Sequence, residues 1–530
     1  MSDEMEAGAP KVSEAAPPAP RREADREIEV KLEAGAATMR RLLAAEPLAS
    51  AFAGVRAHTL VSTYFDTADD ALAEAGLTLR VRKVRAKRIL TLKWTPEGEG
   101  LFARGEAEAI LPGDDLDLDL LDSALAGRVR AAAGDEPMVA RYETNVRRRA
   151  AILAFGGATL EIAHDDGRIL AGERTQAVRE LELEWRDGEP GGLYDLAAQL
   201  VDGGARLSPL AKSHRGRLLA RGETAGPQRA KPPKLTGPSQ MEDVIAAVAR
   251  ACLAQFTANW PSLAADGAVE AIHQARVALR RLRSGLAMFE KALPDGGFKP
   301  FRDEAKRIAS ALGAARDLDS FLALVGEGPA PAMPEETSFA ALVDAAKRLR
   351  ARACADGQAA IAAPETSRFV LDLEAFVVRR GWRNGLDIDA LGALAAPATT
   401  FAARTLDRLD KRALKRGKGL RHLPPEERHE LRISLKNLRY GADFFSSLYA
   451  DAKGAKAFAR ALADLQDALG AYNDAVVANG VAARAEEEAG APASRAAGAV
   501  CGWCARGVVD ADPALLVAWK RYRKASRYWR

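Results

Sequence analysis

Cysteine is scarce, with four in 530 residues, and two of them lie close together in CGWC (Cys501 and Cys504). So few cysteines exclude a disulfide framework, and the absence of a second CxxC excludes a paired zinc site. CGWC sits in the Ala-rich run SRAAGAVCGWCARG with no βαβ pattern around it, so a structural place in a packed helix is expected. No run approaches the roughly 18 apolar residues of a membrane span. The N-terminus, MSDEMEAGAPKVSEAAPPAPRREAD, lacks an apolar h-region, so no secretory signal is expected and the cytoplasm is the expected location. A GxxxxGK[ST] phosphate loop is missing too. Net charge is nearly absent: 77 Lys+Arg against 73 Asp+Glu, or +4. The mean therefore identifies no partner, and the information must lie in the pattern.

That pattern divides the chain. From about Glu27 to Leu219 the dominant period is two, in REIEVKLE, LVSTYFDT, LTLRVRKV, KRILTLKW, RGEAEAIL, TLEIAHDDGRIL and VRELELEW. Such runs predict an antiparallel barrel or curled sheet. GETAGPQRAKPPKLTGPSQ then reads as a linker, and from Met241 the period becomes 3.6, that of amphipathic helices. The expected organisation is α+β and multidomain: a disordered segment 1–24, a strand-rich domain 25–220, a Pro/Gly-rich linker 221–238 and an all-α domain 239–530.

The strands carry charge on one face only. Glu27, Glu29 and Lys31 alternate with Ile28, Val30 and Leu32. Arg80 and Arg82 share a face, Lys93 follows in TLKW, and Arg104, Glu106 and Glu108 share another. Glu180, Glu182 and Glu184 alternate in RELELEW, and Asp165 lies in the turn-like HDDGR. If the apolar face packs outward, the charged face lines the interior. Interior charges are costly unless paired or holding ligands. Carboxylates hold a divalent metal, Arg and Lys hold a polyanion, and magnesium with a polyphosphate ester or chain satisfies both. His58, His164 and His214 are scattered, and no Ser–His or Cys–His nucleophile stands out.

The series Glu27-Ile28-Glu29-Val30-Lys31, then YFDT, LRVR, TLK, RGEAE, HDDG, ELELE and AKSHRG, resembles the CYTH superfamily, or triphosphate tunnel metalloenzymes. The resemblance implies an eight-stranded antiparallel tunnel binding triphosphate and Mg²⁺ or Mn²⁺. On it, Glu27 and Glu29 correspond to the metal-binding pair, Asp165, Glu180 and Glu182 to later acidic positions, and Glu106 and Glu108 are counted with them. Lys31, Arg80, Arg82 and Lys93 correspond to catalytic phosphate contacts. Arg104, Arg148, Lys212 and Arg215 are expected to bind substrate, with Arg147 and Arg149 competing for the place of Arg148.

The second half holds a repeated motif, HQARVALRRLRS at His273 and HELRISLKNLRY at His429. His273, Arg276, Arg280 and Arg283 answer to His429, Arg432, Lys436 and Arg439, and each set falls within an arc of roughly 80° on its helix. LGAARDLDSFLAL is echoed by LGAYNDAVVANG at nearly the same shift, which indicates an internal duplication. With few local acids to neutralise them, the stripes read as a basic surface, with Arg281 off its main line. This pattern resembles the CHAD domain, which implies two pseudo-symmetric bundles with a groove for inorganic polyphosphate, no catalysis, and association with polyphosphate granules. The combined expectation is metal-dependent hydrolysis of inorganic triphosphate beside polyphosphate binding. Adenylate cyclase or thiamine triphosphatase activity, or a non-catalytic polyphosphate-binding scaffold, remain as alternatives. Membrane and nucleic-acid partners are not expected.

Overall fold

The computed structural model describes residues 25–95, 101–266 and 269–530. The segment 1–24, expected to be disordered, lies outside the described residues. Among them the strands are β1 Asp25–Glu33, β2 His58–Asp66, β3 Leu77–Val84, β4 Lys87–Trp94, β5 Ala103–Leu111, β6 Val139–Phe155, β7 Ala158–Ala171, β8 Arg174–Gly188 and the short β9 Arg206–Leu207. They pair in the order β5-β4-β3-β2-β6-β7-β8-β1-β9, and β1 also pairs antiparallel with β5. That last pairing closes β1–β8 into an eight-stranded antiparallel barrel without free edges. Helix Lys212–Arg221 packs against β6, β7 and β8.

The period of two sets the two faces. Ile28, Val30 and Leu32 are buried outward against helix Gly191–Asp202, and the alternating charged residues turn inward. HDDGR reads as a turn, but β7 runs straight through it. Gly167 explains the difference: a Cβ there would lie 2.1 Å from the Asn145 carbonyl oxygen, so only glycine lets β7 approach β6 so closely.

The second half is helical throughout. Its stripe-bearing helices, Val269–Ala292 and Pro425–Phe444, are tied by the Ser284 hydroxyl donating to Asn437 Oδ1 at 3.0 Å. The duplicated echo differs in detail. The first copy begins a new helix, Gly313–Glu327, whereas the second lies inside the continuous helix Ala455–Ala489. Cys501 and Cys504 sit as free thiols in helix Ser494–Lys524. Residues 223–236 have no regular structure but are docked, with Asn259 Nδ2 donating to the Gln228 carbonyl and Leu235 N–H donating to Ser447 Oγ.

Helix Gly191–Asp202 is apolar nearly all round, which suits a helix covered on two sides. One side meets the barrel and the other meets helix Pro364–Val378. A single apolar cluster therefore runs from Val30 and Leu32 through Leu193 and Leu196 to Leu371 and Leu431. Among the described residues no helix is long and apolar enough to cross a membrane.

Candidate active site and basic groove

Antiparallel register stacks the inward residues into rows. Glu29 lies opposite Glu184, and Glu184 opposite Glu161. Lys31 faces Glu182, Glu27 faces Arg104, Lys93 faces Glu106, and Arg148, Asp165 and Glu180 form another row. Of the residues expected from the sequence, Glu27, Glu29, Lys31, Arg80, Arg82, Lys93, Arg104, Glu106, Glu108, Arg148, Glu182 and Lys212 line one cavity of about 250 Å³. Asp165 and Glu180 are fully buried and do not line it, and Arg215 lies outside with its Nη1 3.2 Å from Glu180. Register settles which of three neighbouring arginines faces inward: Arg148 lines the cavity, whereas Arg149 stacks over Phe52 and Arg147 is exposed.

Lys212 Nζ lies 2.7 Å from Asp165 and 2.7 Å from Glu182, and also bonds Glu180. Oxygens of these three carboxylates approach within 4.8 Å of one another, a spacing compatible with one metal ion, and here the ammonium holds that centre. Arg148 grips Asp165 bidentately at 2.6 and 2.7 Å and reaches Glu182. Burial alone would raise the Asp165 pKa, but Lys212 and Arg148 outweigh it and hold it at about 2. Lys93 bridges Glu27 at 2.6 Å and Glu106 at 3.1 Å. Burial again opposes, yet Lys93 and Arg80 hold Glu106 at about 2.

The opposite imbalance holds around β1 and β8. Burial, then the Glu182 charge, pushes Glu29 up to about 7 although Lys31 bonds it. Burial and the carboxylates of Glu27, Glu29 and Glu161 push Glu184 up to about 9, although Arg186 lies 2.7 Å away. At the arginine pole, burial and the neighbouring Arg80 lower Arg82 to about 10. One pole of the lumen thus holds surplus carboxylate and the other surplus guanidinium. Hard carboxylate oxygens at the first pole suit a hard divalent cation. Glu161, Glu184, Arg186 and Tyr64 also line the cavity; of these only Glu184 was expected on the inward charged face, without an assigned role. The parity of ELELEWR already placed Glu184 and Arg186 with Glu182. Glu161 shares the parity of Asp165, but nothing local marked it.

In the helical half the two stripes converge. Burial, then Arg280 and Arg432, push Lys436 down to about 7. Arg432 Nη1 donates to Asn473 Oδ1 at 2.9 Å and Arg439 Nη1 to Gln466 Oε1 at 3.2 Å. Arg276 Nη1 donates to the Ala309 carbonyl at 2.6 Å, so part of its capacity is spent on the fold. His273 and Arg283 are half-buried and His429 is exposed. Arg281 is buried, paired with Asp443 at 2.7 Å and laid over Phe444. The echoes bring their own acids: Asp317 acts on Arg276, and Asp474 on Arg432 and Lys436. The stripes are therefore less free of acids than their own helices suggest. Arg316, beside His273 and Arg276, joins the basic set from the first echo.

Residues 25–216 match the CYTH domain and residues 247–483 the CHAD domain. The chain is a CYTH domain fused to a CHAD domain. An uncharacterized protein of Mycobacterium tuberculosis is 28% identical over 448 residues, covering 79% of this chain and 80% of that protein. An inorganic triphosphatase of Haemophilus influenzae is 28% identical over 167 residues, 30% of this chain and 46% of that protein. The crystal structure of the CHAD domain from the plant Ricinus communis is similar to the helical half at 24% identity and a TM-score of 0.49, covering 57% of this chain and 98% of that one.

Proposed function

We propose that the CYTH tunnel hydrolyses inorganic triphosphate to diphosphate and phosphate with Mg²⁺ or Mn²⁺, while the CHAD half binds inorganic polyphosphate without cleaving it. The observation that supports this best is the polarised lumen, with surplus carboxylate at Glu29 and Glu184 and surplus guanidinium at Arg82, crowded by Arg80 and Arg148. Glu27 and Glu29, with Glu184 and Glu161 beside them on the neighbouring strands β8 and β7, are best placed to hold the cation, and Glu106, Glu108 and Glu182 flank them. The cation, when bound, supplies neutralisation of the phosphoryl oxygens. Arg80, Arg82, Arg148 and Lys93 bind and orient the remaining anionic oxygens, as phosphoryl transfer demands positioning and charge compensation above all. Lys31 and Lys212 fix the carboxylates they bridge. In this reading Asp165 and Glu180 position Lys212 and Arg148, with Arg215 supporting Glu180 from outside.

Assaying the full chain with tripolyphosphate, ATP and thiamine triphosphate under Mg²⁺ or Mn²⁺ tests the substrate. Preference for tripolyphosphate with release of phosphate is expected. Faster turnover of ATP, or cyclic AMP as product, would overturn the choice.

A further inference from the structure

The tunnel strand that carries Glu29 and Lys31 is held by two further backbone bonds along the edge opposite its β8 pairing. The Glu29 N–H donates to the Phe102 carbonyl at 3.0 Å, and the Lys31 carbonyl accepts from the Ser208 N–H at 2.8 Å. Both flanking segments reach the helical half. The Leu207 N–H, next to Ser208, donates to Ser367 Oγ at 3.1 Å in a buried setting. Leu101, next to Phe102, lies beside Glu374, a fully buried carboxylate whose Oε2 takes the Arg250 Nε–H at 3.4 Å and whose Oε1 has no hydrogen-bond partner among the described residues. Ser367 and Glu374 lie seven residues apart on one helix, Pro364–Val378, which is two turns and so one face. A narrow extension of the tunnel, about 70 Å³, lies between these anchors and is lined by Glu29, Lys31, Phe102, Ser208 and, from the helical half, Thr257.

We propose that helix Pro364–Val378 positions the lumen residues Glu29 and Lys31 from across the domain boundary, with Ser367 and Glu374 as the positioning residues. The helical half is then part of the tunnel's supporting shell as well as a neighbour. Arg250 extends the support one layer further, since its helix, Met241–Ala258, packs on the stripe helix Val269–Ala292. The kinetic consequence rests on the triphosphatase reading; the structural one does not.

The test uses the full chain with Ser367→Ala, Ser367→Thr and the double variant Ser367→Ala/Glu374→Gln. Hydrogen exchange is read at the amides of Glu29 and Ser208, and tripolyphosphate hydrolysis is split into kcat and KM. Ser367→Ala should speed exchange at Ser208 and lower kcat roughly tenfold, the usual scale for groups that orient metal ligands. The double variant should speed exchange at both amides. Ser367→Thr, which keeps the hydroxyl, should restore both readouts, and polyphosphate affinity should stay within about twofold of the parent in all three, as expected for groups outside the groove. Unchanged exchange at both amides in the double variant overturns the clamp, whatever the activity. Faster exchange in a chain whose parent cleaves no triphosphate supports the clamp and removes the hydrolytic reading.

Discussion

In the tunnel every ammonium has carboxylates to rest on. Lys212 touches three and Lys93 two. In the helical groove Lys436 is crowded by Arg280, Arg432 and Arg439, against which Asp474 acts as a counter-charge. On the proposed function the two regions treat the same phosphate chemistry in different ways. In that reading, a lumen that admits a cation and an anion together keeps both signs, paired with each other, so that ligands replace partners. A groove that only holds an anion needs one sign and stores repulsion that the ligand relieves. Opposite linkage follows. The carboxylates of Glu29 and Glu184 are pushed up and would release protons to a bound cation, whereas the Lys436 ammonium is pushed down and would take up a proton with a bound anion.

The contrast is broken most sharply by removing one region's chemistry and reading the other. Glu27→Ala/Glu29→Ala should cut tripolyphosphate hydrolysis by about two orders of magnitude or more, because hard oxygen ligands are lost at the carboxylate pole. Polyphosphate retention on a filter should not change. Hydrolysis that survives in the folded variant would move the cation elsewhere.

Arg280→Gln/Lys436→Gln is the reciprocal experiment. Polyphosphate affinity should fall by roughly tenfold or more, and log affinity against log salt should become shallower by about 1.5 for two lost contacts. Tripolyphosphate turnover should hold. A slope equal to the parent's would mean that the convergent stripes touch no phosphate.

Titration sharpens the comparison. With Glu29 at about 7 and Glu184 at about 9, cation binding competes with protons, so Mn²⁺ affinity should climb between pH 6 and 9. With Lys436 at about 7, anion binding is helped by protonation, so polyphosphate affinity should decline above pH 7, by less than about tenfold per pH unit for one proton. Lys436→Arg should flatten the second curve and leave the first alone. Calorimetry in two buffers of different ionisation enthalpy reads both proton counts. Curves of the same sign would refute the distinction.

The smallest effect belongs to the outer domain contact. Arg379 pairs bidentately with Asp195 at 2.5 and 2.9 Å, but both side chains are well exposed. Arg379→Ala should therefore cost less than about 1 kcal/mol in denaturant unfolding. A much larger loss would place the domain junction's stability in its ion pairs rather than in the shared apolar core.

Alternation carried most of the tunnel. It separated Glu27, Glu29 and Lys31 from Ile28, Val30 and Leu32, and closure then turned one parity inward. Helical spacing carried the stripes in the same way. Contacts made across the fold were not legible. Parity alone does not tell Glu180, which serves Lys212 behind the lumen wall, from Glu184, which opens into it. HDDGR has turn composition, and only the partner strand's proximity explains its glycine. Arg148 could not be separated from Arg147 and Arg149 until pairing with Asp165 set its face. The acids beside the groove arrive from the echoed helices, some 40 residues downstream, as Asp317 does for Arg276 and Asp474 for Arg432. The domain junction had no local signature, because Ser367 and Glu374 are ordinary residues of an amphipathic helix until Leu207 and Leu101 approach them.

The central claim is that the tunnel's carboxylate pole holds a divalent cation beside a triphosphate held by its arginine pole. Anomalous scattering from a crystal of the full chain soaked with Mn²⁺ and a non-hydrolysable imido analogue of tripolyphosphate tests it most directly. The predicted result is a Mn²⁺ peak within bonding distance of Glu27 or Glu29 oxygens, with analogue density reaching Arg80, Arg82 and Arg148 in the same lumen. A lumen holding neither, with Mn²⁺ and analogue together in the helical groove, would contradict it.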